Sequence, residues 1–177
     1  WSANDSFIQI RAGDYFSHHQ HYDAGHFTAY YHQSIIADAA VYHDNYLKPS
    51  RLNFSIRTVA KNSLILIDPN EKVFPNDFFK QNINAGGQRI VSPTGSAIIS
   101  THDWLNNADT YKGAKLERFE NKEGEFVFVE FDLSNSYKNS ENKAKRITRQ
   151  LLFLPKSQQL IVTDNINAIV DKVRAKS

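Results

Sequence analysis

The second half of this chain is a row of short runs in which apolar and polar residues alternate. Lys115–Glu120, Glu125–Leu133, Arg146–Leu154 and Gln159–Asp164 are the runs, and Asn121–Gly124, Ser134–Lys145 and Pro155–Gln158 separate them. A period of two sends successive side chains to opposite faces of a strand, so each run can bury one face and leave the other out. Phe126, Phe128 and Glu130 stand against Val127, Val129 and Phe131, two faces of different character. Short strand-like runs with frequent turns and hardly any helical periodicity predict an antiparallel multi-stranded β-sandwich.

The first half agrees in outline. Ser6–Arg11 alternates and precedes the turn at Gly13-Asp14. Asn53–Val59 alternates again, and Leu64–Ile67 reads as a buried strand stopped by Asp68-Pro69-Asn70. Between them His43–Arg51 is polar and irregular, with Pro49 as a breaker. Pro75–Lys80 suggests one helical turn, Asn82–Gly87 a loop, and Gln88–Val91 and Ser96–Thr101 two strands around Pro93-Thr94-Gly95. Ile166–Ser177 reads as helical or frayed. No repeat, low-complexity tract or boundary divides the sequence, so residues 1–177 are expected to form one all-β domain.

Composition closes off several functions. With 41% hydrophobic and 23% charged residues the chain can bury a core. A net charge of +2 is too small for a nucleic-acid footprint. Cysteine is absent, which excludes disulfides and thiolate chemistry. No apolar run approaches the roughly 20 residues of a membrane span, and no secretory leader is read at the start. Methionine is absent too, so the sequence is expected to be a mature product or an excised part of a longer protein.

Chemistry concentrates in Ser17–Asp38. Five of the seven histidines (His18, His19, His21, His26 and His32) fall here, with Asp23 and Asp38. Histidine is the commonest metal ligand and the usual proton carrier near neutral pH. His19 and His21 are two apart, so on an extended strand both rings face one side. Gly25 permits a tight turn, His26–Tyr30 alternates, and Ser34–Asp38 runs back as an apolar strand ending in a carboxylate. A hairpin of this kind brings His21 and Asp38 together from different strands. The competing reading is a solvated loop in which histidines have no joint role.

Several of these pieces together resemble one family. His19-Gln-His-Tyr-Asp-Ala-Gly25, His26-Phe-Thr-Ala-Tyr-Tyr31 and Ile36-Ala-Asp38 with Tyr42 are similar to the strand pair of the heparinase II/III-like polysaccharide lyases. Arg57–Ile65 resembles the family's next strand, Asn84-Ala-Gly-Gly-Gln-Arg89 its Gly-Gly-Gln loop, and Asp132–Tyr137 and Arg149–Asp164 its closing strands. The resemblance implies the β-sandwich that follows an N-terminal α/α toroid, with the toroid itself not in this sequence. It implies β-elimination on uronate polysaccharides such as glycosaminoglycans or alginate, in the periplasm or outside the cell. One base takes the C5 proton, the carboxylate charge is neutralised, and an acid helps the C4-linked oxygen leave. The partners so implied are an acidic polysaccharide and the toroid.

Carried over residue by residue, His19 is the catalytic histidine, with Gln20 beside it in the substrate-binding set. His21 and Asp38 match two ligands of a structural zinc. The family's third ligand is a histidine, and here that position is Lys61, between Ala60 and Asn62. An ammonium has no lone pair to offer a metal. Either Lys61 replaces the metal by pairing with Asp38, or His26 or His43 completes the coordination. Tyr42 and Tyr46 read as sugar contacts or as ordinary sheet aromatics. Gln88 and Arg89, after two glycines, read as substrate-binding, with Arg89 either a carboxylate or sulfate clamp or a solvated loop residue.

Two rivals stand beside the lyase. A β-sandwich without the toroid would bind carbohydrate and catalyse nothing. A cupin-like metal enzyme fits Gly13, His19 and His21, but position 26 is histidine where that pattern needs glutamate, and Ile98 stands where it needs histidine.

Overall fold

The computed structural model describes residues 4–15, 20–39, 48–69, 86–88, 100–137, 143–169 and 174–176. Their strands are β1 (Phe7–Arg11), β2 (His26–Tyr31), β3 (Gln33–Ile36), β4 (Ile65–Ile67), β5 (Lys115–Lys122), β6 (Phe126–Asp132), β7 (Ala144–Leu154), β8 (Gln159–Ala168) and β9 (Arg174–Lys176). Two short helices, α1 (Thr101–Asn106) and α2 (Ala108–Tyr111), precede β5. The fold is all-β and antiparallel, as the alternation requires. β5-β6-β7-β8 make a four-stranded meander, β1-β2-β3 a three-stranded sheet, and β4-β9 a two-stranded ribbon.

The meander buries the face that the sequence marks as apolar. Val129 and Phe131 of β6 and Ile147 and Leu151 of β7 are core, joined by Leu64, Leu66, Leu133 and Tyr137. Ile10 of β1 and Phe27 of β2 pack on the same cluster, so the three-stranded sheet is the second layer. β1 and β2 pair from Phe7↔Tyr30 to Arg11↔His26, which places Arg11 and His26 side by side at one end. That end carries the candidate site.

One buried cation fastens the layers. Arg149 of β7 is 3% exposed. Its Nε and Nη2 donate to Oδ1 and Oδ2 of Asp164 across the β7–β8 pair at 2.7 and 2.8 Å. Its Nη1 donates to the carbonyls of Gly25 and Asn62, both at 2.8 Å. A guanidinium stays charged at any working pH, so it is stable in the core only when its donors are matched. Gly25 itself has no freedom to change. Its φ is +77°, and a Cβ there would meet Leu133 Cδ1 at 2.8 Å.

Several sequence expectations are corrected. Asn53–Val59 is not a strand, since Arg51–Ser55 forms a π-helical turn and Thr58–Ala60 a 3₁₀ turn. Its alternation does not govern burial, because Ile56, Arg57 and Thr58 are buried in succession. Residues 20–23 are irregular, so His21 precedes the β2–β3 hairpin rather than lying on a strand, and Asp38 lies two residues past β3. Thr101 opens a helix because Ser100 caps it, its Oγ accepting from the Asp103 N–H at 3.0 Å. Residues 166–168 extend β8, and β9 is a strand, so the end of the chain is not helical there. Gln88 belongs to no strand, and the Pro75–Lys80 turn and the rest of the 88–99 pair lie outside the described residues.

Arg149→Ala should destabilise the fold by about 3–5 kcal/mol, the penalty for stranding a buried partner charge. Urea denaturation of the two proteins checks this, and a change under 1 kcal/mol would remove Arg149 from its structural role.

Candidate functional site

The irregular segment 20–24 is held in place by bonds from three directions. Tyr22 donates its N–H to Ile56 O at 2.9 Å, and Thr58 Oγ1 donates to Tyr22 O at 2.8 Å. The Tyr22 ring stacks on Tyr15 at 6.0 Å, and the Arg57 guanidinium lies 5.2 Å from its centroid. α1 and α2 support this platform from below. Trp104 Nε1 donates to Tyr15 O at 3.2 Å, and Tyr15 N–H donates to Tyr111 O at 2.8 Å. The turn Arg51–Ser55 and its neighbours therefore serve as a socket, which is why that stretch abandons the extended form.

Gln88 joins the same segment from far along the chain. Its Oε1 accepts from Ala24 N–H at 2.8 Å and its Nε2 donates to Ala24 O at 2.6 Å. Its own N–H donates to Thr58 Oγ1 at 2.8 Å. Gly86 allows this approach with φ +70°, where a Cβ would meet Ile65 Cγ2 at 2.6 Å. The buried amide of Gln88 is thus engaged by the main chain and braces the segment. Gln20 and His21 line a cleft with Gln88, Arg11, Asp23 and Ser136, and Gln20 Nε2 donates to Asp14 O at 2.8 Å. His19, Tyr42, Tyr46 and Arg89 lie outside the described residues, as do His18 and His43.

Lys61 and Asp38 form an ion pair, Nζ to Oδ2 at 2.5 Å, with the lysine side chain fully buried. Asn62 next to it ties the hairpin together, donating from Nδ2 to Phe27 O and Ala37 O. Its N–H donates to His26 Nδ1 at 3.0 Å. A neutral imidazole that accepts at Nδ1 carries its proton on Nε2, which leaves no lone pair for a metal. Among the described residues no group of three or more histidines and carboxylates could hold a metal ion. Asp38 already carries the Lys61 ammonium, and His43, the other residue that could complete a coordination shell, lies outside the described residues.

Burial shapes the titration here. His21 is pushed down to about 4, first by desolvation and then by the Lys61 ammonium. His26 is lowered as well, again mainly by burial. Asp23 is raised to about 6 by burial, against the pull of Arg11, whose Nε lies 3.0 Å from its Oδ1. His21 is therefore a neutral imidazole at pH 7.

Asp23 stands out in the sequence as part of the histidine-rich segment, but Ser136 has no site role there and Arg11 reads as the end of an ordinary strand. Only the convergence of β1, the segment 20–24 and the turn Ser134–Tyr137 brings them to one cleft. No family model matches the sequence, and no curated protein matches it.

Two tests follow. His21 binds more protons unfolded than folded between about 4 and 6.5, so it makes stability rise with pH over that window. Asp23 does the reverse between 3.8 and about 6, binding more protons when folded. Asp23→Asn should therefore steepen the rise of Tm from pH 4 to 6 relative to wild type, and a shallower rise would contradict the assignment. Zinc and chelator should leave the wild-type Tm unchanged. Lys61→His should lower Tm without metal and recover it with equimolar zinc, as read by calorimetry, and a zinc-responsive wild type would overturn the lysine's place in the site.

Proposed function

We propose that this chain is the β-sandwich part of a polysaccharide lyase that cleaves uronate-containing chains by β-elimination. The observation that supports it most is the meeting of two motifs far apart in sequence. The His-Gln-His segment and the Gly-Gly-Gln loop, quoted above for their resemblance to one family, are bonded to each other at Ala24 and line one cleft.

In this reading Gln88, Thr58 and Tyr22 are positioning residues that fix the main chain just after His21. His21, neutral and half-buried, supports the segment and carries no net charge into the site. His19 takes the C5 proton as the general base. The proton on carbon is weakly acidic, so the base must be held within hydrogen-bond reach and its substrate's carboxylate charge must be balanced. Lys61, buried on Asp38, supplies fixed positive charge close to the segment where other designs would use a metal. The acid that serves the leaving oxygen comes from the helical partner domain.

In the protein joined to that helical domain, His19→Ala should lower turnover on a uronate polymer by about 10²–10⁴-fold with polymer binding nearly intact. Unsaturated product is followed by its ultraviolet absorbance, and binding by affinity electrophoresis. Wild-type turnover in a folded His19→Ala protein would end the assignment. The present 177-residue chain, assayed alone, should bind polymer and release no unsaturated product.

A further inference from the structure

The cleft is small and carries two polar groups that no role above uses. Its free space is about 20 Å³, close to the volume one water-sized oxygen needs. A sugar ring cannot enter it, but an anionic oxygen carried on a ring can. Two residues that can donate line it. Ser136 is 4% exposed, and its Oγ has no hydrogen-bond partner among the described residues. A buried hydroxyl left unmatched is costly, and native proteins rarely keep one without a reason. Its backbone is fixed, since Ser136 N–H donates to Leu133 O at 3.0 Å and the neighbouring Tyr137 hydroxyl donates to Leu64 O at 2.6 Å.

Arg11 is the second donor. Asp23, with its side chain 8% exposed, holds it at Nε, while the arginine side chain stays 47% exposed. No hydrogen bond ties its Nη1 or Nη2 to another described residue. A guanidinium oriented through Nε offers its remaining N–H groups in a planar fork that matches a carboxylate. Asp23 is a negative charge on the same wall, but Arg11 neutralises it. Lys61 and Arg51 add positive charge at His21, against the carboxylate of Asp38.

We propose that Arg11 and Ser136 form an oxyanion-binding recess that takes the carboxylate of an acidic sugar. This rests on the reading of an acidic polysaccharide as ligand, and it names the groups that recognise its charge. The sugar ring stays outside the cleft, and its carboxylate enters. Asp23 is a positioning residue for Arg11 and makes no contact with sugar.

The test is an amide-resolved NMR titration of the 177-residue chain with sodium D-glucuronate, glucose 6-sulfate and glucose. Glucuronate should shift the amides of Arg11, Gly113 and Ser136 saturably, and glucose should not. Arg11→Gln should weaken glucuronate about tenfold or more, and Ser136→Ala about threefold, as losses of an ion pair and of a single hydroxyl bond. Comparable binding of glucose 6-sulfate would uphold the oxyanion site and extend it to sulfate. Where Arg11→Gln fails to fold because Asp23 is stranded, Arg11→Gln/Asp23→Asn restores the balance, and Ser136→Ala stands as an independent probe. Absence of saturable glucuronate shifts, or wild-type affinity in the folded variants, would overturn the recess. The lyase reading fails separately. Arg11-dependent glucuronate binding, with no unsaturated product from any uronate polymer in the protein joined to its helical domain, would sink the lyase and leave the recess. Product formation with an unchanged KM in Arg11→Gln would sink the recess and leave the lyase.

Discussion

The Arg149 guanidinium is the constraint on which the rest of the molecule depends. Four of its bonds join three separate parts of the chain: Asp164 on β8, Gly25 at the start of β2, and Asn62 beside the buried lysine. A planar, permanently charged group has little tolerance for misplacement when its partners are buried with it. Gly25 and Asn62 must therefore keep a fixed separation. That separation places His26, whose Nδ1 receives the Asn62 N–H, and Lys61, which reaches Asp38. Apolar packing of the two layers supplies most of the driving force for folding, but it is not directional. The arginine sets the register in which those layers meet.

Around it the polar groups are arranged in pairs whose charges nearly cancel. Arg11 balances Asp23, Lys61 balances Asp38, and Arg149 balances Asp164. All three pairs lie at the end of the sandwich where β1 and β2 begin and finish their pairing. Matched charges of this kind contribute little net stability, since each must be stripped of water. What they provide is a polar environment already oriented before any ligand arrives, the property that electrostatic recognition and proton transfer both require. The neutral state of His21 follows from the same burial. A positive imidazole beside the Lys61–Asp38 pair would add an unbalanced charge to a desolvated pocket.

The irregular part of the molecule is as specific as the sheets. Residues 20–24 have no strand or helix to satisfy their backbone, and yet both backbone groups of Tyr22 and of Ala24 have partners. Ile56, Thr58, Ser63 and Gln88 provide those partners. The socket explains the unusual π-helical turn at Arg51–Ser55, because it turns Ile56 O toward Tyr22.

The sequence by itself determined the meander and the general character of the site. Val127, Val129 and Phe131 alternate with Phe128 and Glu130, and that pattern has only one way to bury itself, so β5 to β8 were legible to within a few residues. The clustering of His21, Asp23, His26 and Asp38 likewise marked a polar centre, and Lys61 was identifiable as a partner for Asp38. Local pattern failed where a segment's conformation is decided by what it touches. Asn53–Val59 alternates like a strand, but it gives its carbonyl and hydroxyl to Tyr22 instead of to a ladder. Ser100 caps a helix within three residues, a signal too short to outweigh the surrounding strand-like pattern. Only the tertiary structure decided that Arg11, Asp23, Gln88 and Ser136 share one cleft, since they come from four regions spread over more than a hundred residues. No spacing in a sequence records a distance that Arg149 and the sheet packing impose.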